Sequence, residues 1–367
     1  MSQKTIYEKL VTVLSTNNID EIGLLHIQPN LSDLPSESAA FYPLVVVESK
    51  LGISFQHLTA LLSEAHKRYV LVRDAKGAAD LAELEQVSRV LILIKPDHYT
   101  AMNTRKQLIT SGQISIENEL LLLELMFTIP KHSKSSIAWH HRQWIYKLKH
   151  SRNDPQSRLI DHINIEHELQ LCDRTITLYP KGYYTWNYRH WLLSTMESDH
   201  HFVQKEYHHS RSRVEVNVSD HSCLQHLELA LFAIVKDSPL KISILEDHLR
   251  WLDGVIISYP GHEALWYHRR YCLDILLCDM KDSIYYSQKH YEFIEDIAKG
   301  DPSPLAIDTN RSSLLRQVEL ALHFGVWLCL KEKDTGNVNI GRARSYLNRL
   351  ESTPAISEIH RLFNDSA

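Results

Sequence analysis

The sequence predicts an all-α fold, a solenoid of helical hairpins, on three observations. A short unit recurs along the chain: Pro180 is followed six residues later by Trp186 and three after that by Arg189, and Pro260, Trp266 and Arg269 repeat both offsets. Pro96, Met102 and Arg105 repeat them with methionine in the tryptophan slot, and Pro130, Trp139 and Arg142 repeat them with three extra loop residues. Glycine is scarce (11 of 367 residues), and the prolines fall between apolar runs rather than inside them, as in a helical chain. An apolar content of 44% with 23% charged residues supplies the core such a stack needs.

Taken in order, Ile6, Leu10, Val13 and Leu14 suit a short amphipathic helix within residues 1–16. A polar loop with Pro29, Asn30, Asp33 and Pro35 follows. Leu44–Gly52 is apolar and β-branched; helical surroundings favour reading it as the entry to a helix over a strand. Ser54 is placed to cap a helix through Leu58, Leu61, Ala65 and Tyr69. These stretches form an N-terminal helical and loop region over 1–74.

Five repeat units are expected over 75–282, each a Leu/Ile-rich first helix, a proline turn and a second helix opening on Trp-x-x-Arg. A proline forces the residue before it out of the α region, so the first helices end near Pro96, Pro130, Pro180 and Pro260. The motif positions Met102, Trp139, Trp186 and Trp266 lie 37, 47 and 80 residues apart, and the last interval leaves room for a degenerate fourth unit. Val218–Leu227 fills it, with Leu224 and Leu227 in the tryptophan and arginine slots. Over 283–367 a helical extension is expected, with helices at 312–330 and 340–350, and fraying at Asn364–Ala367.

Trp and Arg three apart share a helix face. The expectation for Trp139, Trp186 and Trp266 is packing between hairpins, with Arg142, Arg189 and Arg269 laid along the rings and reaching a carbonyl or carboxylate on the next helix. A lone hairpin cannot bury its apolar side, so neighbours must stack.

Composition also excludes. A net charge of −5 argues against a nucleic-acid surface, and no apolar run approaches the roughly 18–20 residues of a membrane span. Five scattered cysteines without CxxC spacing read as reduced thiols of a cytoplasmic protein. No metal is expected: His200, His201, His208 and His209 lack i, i+4 ligand spacing and read as solvated or interface histidines. Asp220-His221-Ser222 is sequential, which is not triad geometry.

The units resemble the repeat of protein prenyltransferase α subunits, whose Pro/Asn-Tyr-x-Ala-Trp-x-x-Arg core opens the second helix of each hairpin. Ile19–Leu24, Asn217–Ser222 and Ser258–Arg270 carry the likeness most closely, and it extends over about residues 18–275. It implies a right-handed α–α superhelix wrapped around a separate β subunit that holds the catalytic zinc and the isoprenoid, with no cofactor in this chain. Within that family it implies the α subunit of a third type of geranylgeranyltransferase, using the β subunit of the Rab enzyme and acting on a prenylated SNARE or a Rab. A lysine five residues before the third motif tryptophan reaches toward the isoprenoid diphosphate in the farnesyl enzyme. Lys181 holds that slot here, with Tyr183 in the nearby tyrosine slot. Lys181 read by itself is an ordinary solvated loop lysine. A different class of function also fits, a non-enzymatic helical scaffold for a Rab, its escort protein or a SNARE.

Overall fold

The structure is a computed structural model describing residues 4–74, 77–278, 283–301, 303–307, 310–334 and 340–352. The fold is all-α with one small sheet, and the chain forms two compact units, Met1–Thr195 and Met196–Ala367.

In the first unit, α1 (Ile6–Thr16) starts at a capping box in which Thr5 and Glu8 satisfy each other's backbone N–H groups. β1 (Glu21–Leu25), β2 (Val45–Val47) and β3 (Lys50–Ser54) then form a sheet of order β1-β3-β2, parallel between β1 and β3 and antiparallel between β2 and β3. The helix expected over Leu44–Gly52 is therefore a β-hairpin. Val45–Val47 is β-branched, Leu44, Val46, Leu51 and Ile53 alternate inward, and Glu48 at φ 53° makes the two-residue turn between paired Val47 and Lys50. Tertiary pairing with β1 outweighs the helical surroundings. Ser54 does sit at the N-cap of α2 (Phe55–Val72), but its side chain makes no capping hydrogen bond.

Three hairpins follow: α3 (Ala78–Ile94) with α4 (Tyr99–Thr110), α5 (Ile116–Met126) with α6 (Ser136–Asn153), and α7 (Ile165–Leu178) with α8 (Tyr183–Thr195). Side-chain caps open most of them: His98 Nδ1 accepts from Ala101 N–H, and Ser115, Ser135 and Asn164 accept likewise. α4 packs on α6 and α6 on α8, so the motif helices form one layer. Trp139 fills it, stacked on Phe127 at 4.1 Å and against Tyr188 at 4.8 Å.

The second unit begins with the hairpin α9 (His200–Val216) and α10 (His221–Val235), where the degenerate repeat was expected; Leu224 and Leu227 are buried in it and Asp220 caps α10. The hairpin of α11 (Lys241–Ser258) and α12 (Glu263–Cys278) is followed by α13 (Ser283–Ala298), α14 (Arg311–Asp334) and α15 (Ile340–Glu351). α10, α12 and α14 again make one layer, with Trp266 against Phe324. α14 packs on α15, matching the helix pair expected at 312–330 and 340–350, and it packs on α13 as well. Cys172, Cys223, Cys272 and Cys329 are buried thiols that form no disulfide. The side chain of Cys278 and the segment Asn364–Ala367 lie outside the described residues.

Candidate functional site

Each motif arginine is a buried cation, and the way it is neutralised orders the hairpins. Arg105 binds Glu119 of α5 through Nε and Nη2 and also reaches Glu85 of its own hairpin. Arg142 grips both carboxylate oxygens of Glu168 on α7, at 2.7 and 2.6 Å, and also reaches Glu124. Arg189 pairs with Asp173 and lies beside the Trp186 ring, and Arg269 pairs with Asp253. The pattern is one carboxylate from the preceding helix in all four cases, with a second from the next helix at Arg105 and Arg142. Bidentate geometry at Arg105, Arg142 and Arg269 offsets the desolvation of those ions.

The residue before the motif arginine takes part too. His141 meets Glu119 at 2.8 Å, and the Tyr188 hydroxyl donates to Glu168 at 2.7 Å, joined there by Tyr146. Burial alone would raise the Glu119 carboxyl. The Arg105 charge and the hydrogen bonds from His141 and Arg105 outweigh it and bring the pKa to about 2. Glu168 is likewise driven below its ordinary value, against burial, by the Arg142 charge and by hydrogen bonds from Arg142, Tyr146 and Tyr188. Trp139, Arg142, Trp186, Arg189, Trp266 and Arg269 are thus all in the interior, at most 2% exposed. They touch no solvent that a substrate could enter.

Lys181 and Tyr183 lie elsewhere, in the exposed turn between α7 and α8. Lys181 adopts φ 62°, the left-handed conformation that favours glycine, and the matching turn before α12 has Gly261 at φ 85°. Successive turns adjoin along one edge of the first unit. The Ser135 hydroxyl donates to Asp97 at 2.6 Å, and the Lys134 ammonium lies 4.7 Å from the centre of the Tyr179 ring. The edge presents Lys95, Lys131, Lys134 and Lys181, all exposed and none in an ion pair among the described residues. His132 beneath it is pushed down to about 4 by burial, against the pull of Asp97, and stays neutral. Four ammonium groups and the half-exposed Tyr183 suit a polyanionic ligand.

A second feature of this unit is a half-open groove of about 830 Å³ between the end of α1 and the first helices α3 and α5, lined by Leu81, Leu121, Leu125, Arg89 and Arg174 among others. Among the described residues the donors close enough to share a cation are His248, His268 and Cys272 in the second unit. The histidines at 200, 201 and 208, which drew attention in the sequence, are exposed. The buried glutamates Glu119 and Glu168 had a signal in the sequence: each stands four residues into a capped first helix, just ahead of a motif.

A family model described as the protein prenyltransferase alpha subunit repeat matches residues 165–196 and 245–276, the hairpins α7–α8 and α11–α12. Curated relatives include protein prenyltransferase alpha subunit repeat-containing protein 1 of Danio rerio, 28% identical over 298 residues (69% of this chain, 67% of the relative). The protein of the same name from Homo sapiens is 28% identical over 302 residues, covering 69% of this chain and 72% of the relative. More distant is the geranylgeranyl transferase type-2 subunit alpha of Dictyostelium discoideum, 26% identical over 116 residues (29% and 33%).

Proposed function

We propose that this chain, which carries two matches to the protein prenyltransferase alpha subunit repeat and is similar along about two thirds of its length to proteins named for that repeat, is the α subunit of a heterodimeric protein geranylgeranyltransferase. Its partner is a β subunit of the Rab geranylgeranyltransferase type, and its substrate a SNARE or Rab cysteine. In the reaction the C–O bond to diphosphate breaks, a C–S bond forms to the cysteine, the thiol proton is lost and diphosphate leaves. Negative charge grows on the leaving group, and a fixed ammonium beside it lowers the barrier.

The observation that carries this reading is Lys181. Lys181 holds a backbone conformation that glycine adopts at lower cost, and its exposed ammonium shares the edge with those of Lys95, Lys131 and Lys134, none of them in an ion pair among the described residues. Zinc and isoprenoid belong to the partner. The donor cluster of this chain is fully buried and cannot offer a metal to a substrate thiol. No helix among the described residues is long and apolar enough to cross a membrane.

The test is co-expression with a Rab-type β subunit, followed by transfer of labelled geranylgeranyl from its diphosphate to SNARE and Rab substrates. Co-purification with transfer to either substrate is expected; a pair that transfers to none overturns the enzymatic reading. The groove between α1, α3 and α5 favours a second reading, a scaffold that holds an extended peptide of a Rab, escort protein or SNARE. Under it the isolated chain binds such a partner, and Arg174→Glu weakens that binding while transfer is absent throughout.

A further inference from the structure

The α11–α12 hairpin buries an arrangement that packing does not require. His268 and Cys272 are four apart on α12 and share a face, and His248 of α11 faces them. All three are fully buried. Their donor atoms lie within 4.8 Å of one another. Cys272 Sγ is 3.7 Å from His268 Nε2, and the two imidazoles meet Nε2 to Nε2 at 2.7 Å. Two apolar side chains would fill this space without the cost of burying four ring nitrogens.

We propose that His248, His268 and Cys272 supply three donors to a structural metal site for a thiophilic d10 cation, three-coordinate Cu⁺ or Zn²⁺ completed by a water. Metal–sulfur and metal–nitrogen bonds of about 2.3 and 2.0–2.1 Å put ligand sulfur and nitrogen roughly 3.6 Å apart in a tetrahedral site, close to the observed spacing. The two nitrogens need roughly 3.3 Å, so the rings must part by about 0.6 Å from their present hydrogen bond. The outward nitrogens are already held as those of ligating histidines are: His268 Nδ1 lies 3.1 Å from Glu228, and His248 Nδ1 lies 2.9 Å from the Tyr207 hydroxyl. Glu228, an acceptor, keeps the proton of His268 on Nδ1 and leaves Nε2 with a lone pair. Arg211 donates to the Tyr207 oxygen at 3.3 Å and stacks on Trp251, which fixes that partner in turn. When the ion binds, the proton on His248 Nε2 is lost there and regained at Nδ1, which then donates a hydrogen bond to the Tyr207 oxygen while the Tyr207 hydroxyl hydrogen turns away. The Cys272 thiol proton leaves to solvent as the metal–sulfur bond forms.

Burial makes the ion a clasp for the hairpin rather than a reagent, and its uptake accompanies folding. Soft sulfur with two imidazoles selects Zn²⁺ or Cu⁺ over Mg²⁺ and Ca²⁺. The site stands independently of the prenylation reading, since neither donor set nor ion touches a substrate.

The experiment compares full-length chain produced in zinc-supplemented, copper-supplemented reducing, and metal-depleted media. One equivalent of Zn²⁺ or of Cu⁺ is expected after gel filtration, with Tm raised by roughly 5 °C over the depleted chain. Co²⁺ in its place should show a thiolate-to-cobalt charge-transfer band. Cys272→Ser, which keeps the volume, should lose the ion, the band and the metal-dependent rise while its metal-free Tm stays near that of the parent. Less than a tenth of an equivalent in both metal arms overturns the proposal, as does a Cys272→Ser chain that binds metal like the parent.

Discussion

Replacing Lys181 separates its backbone role from its charge. Lys181→Gly removes the ammonium and suits φ 62°, whereas Lys181→Ala removes the ammonium and keeps the left-handed penalty. That penalty is about 1 kcal/mol, and the extra chain entropy of glycine offsets part of it. The net gain for Lys181→Gly is about 0.5 kcal/mol, a rise in Tm of roughly 1–2 °C for a unit of this size. Lys181→Ala should leave Tm within about 1 °C. In the transfer assay with the β subunit the order reverses. Both variants lose one charge-assisted contact to the leaving diphosphate, and transfer should fall about 10- to 100-fold in kcat. Lys181→Arg should recover part of it. The assays are a thermal melt of the isolated chain and single-turnover transfer by the heterodimer. Transfer by Lys181→Gly within twofold of the parent removes Lys181 from the chemistry. A Lys181→Gly chain no more stable than Lys181→Ala refutes the strain argument.

In the second unit, Gly261→Ala combines φ 85° with a Cβ that would lie 2.9 Å from the Ser313 carbonyl oxygen, and should cost about 1–3 kcal/mol in urea unfolding; an unchanged midpoint contradicts the turn geometry. Trp186→Ala empties a fully buried ring site and should cost about 3–5 kcal/mol by chemical denaturation; unaltered stability sinks the packing role. Acid should act through the buried carboxylates. Because Glu119 has a folded pKa of about 2, below its ordinary 4.5, its contribution is complete above pH 4.5 and is lost as pH falls through 2. That contribution is on the order of 3 kcal/mol, and urea midpoints measured between pH 5 and 2 for the parent and Glu119→Gln should converge; parallel curves contradict it.

The hairpin architecture was legible because its signals are local. Pro180 and Pro260 end helices through their own sterics, and the Trp-x-x-Arg spacing places both side chains on one face whatever lies opposite. Leu224 and Leu227 could stand for tryptophan and arginine because only apolar volume was needed at that point of α10. The β-hairpin at Val45–Ser54 escaped because ten residues with both β-branched and helical neighbours are decided by a distant partner, the strand Glu21–Leu25.

What the sequence determined by itself is the repeat, its proline turns and the buried side of each motif helix, since these follow from backbone sterics and a 3.6-residue period. Tertiary structure alone decided which charges meet. Glu119 lies 14 residues from Arg105 and 22 from His141, and Glu168 lies 26 from Arg142, separations set by hairpin stacking and not by any local rule. The same holds for His248 and His268, whose Nε2 atoms touch only because α11 and α12 pack face to face. Lys181 shows both levels at once. Its place before the motif is written in the sequence, while its left-handed backbone and its unpaired neighbours exist only once the turns are stacked side by side.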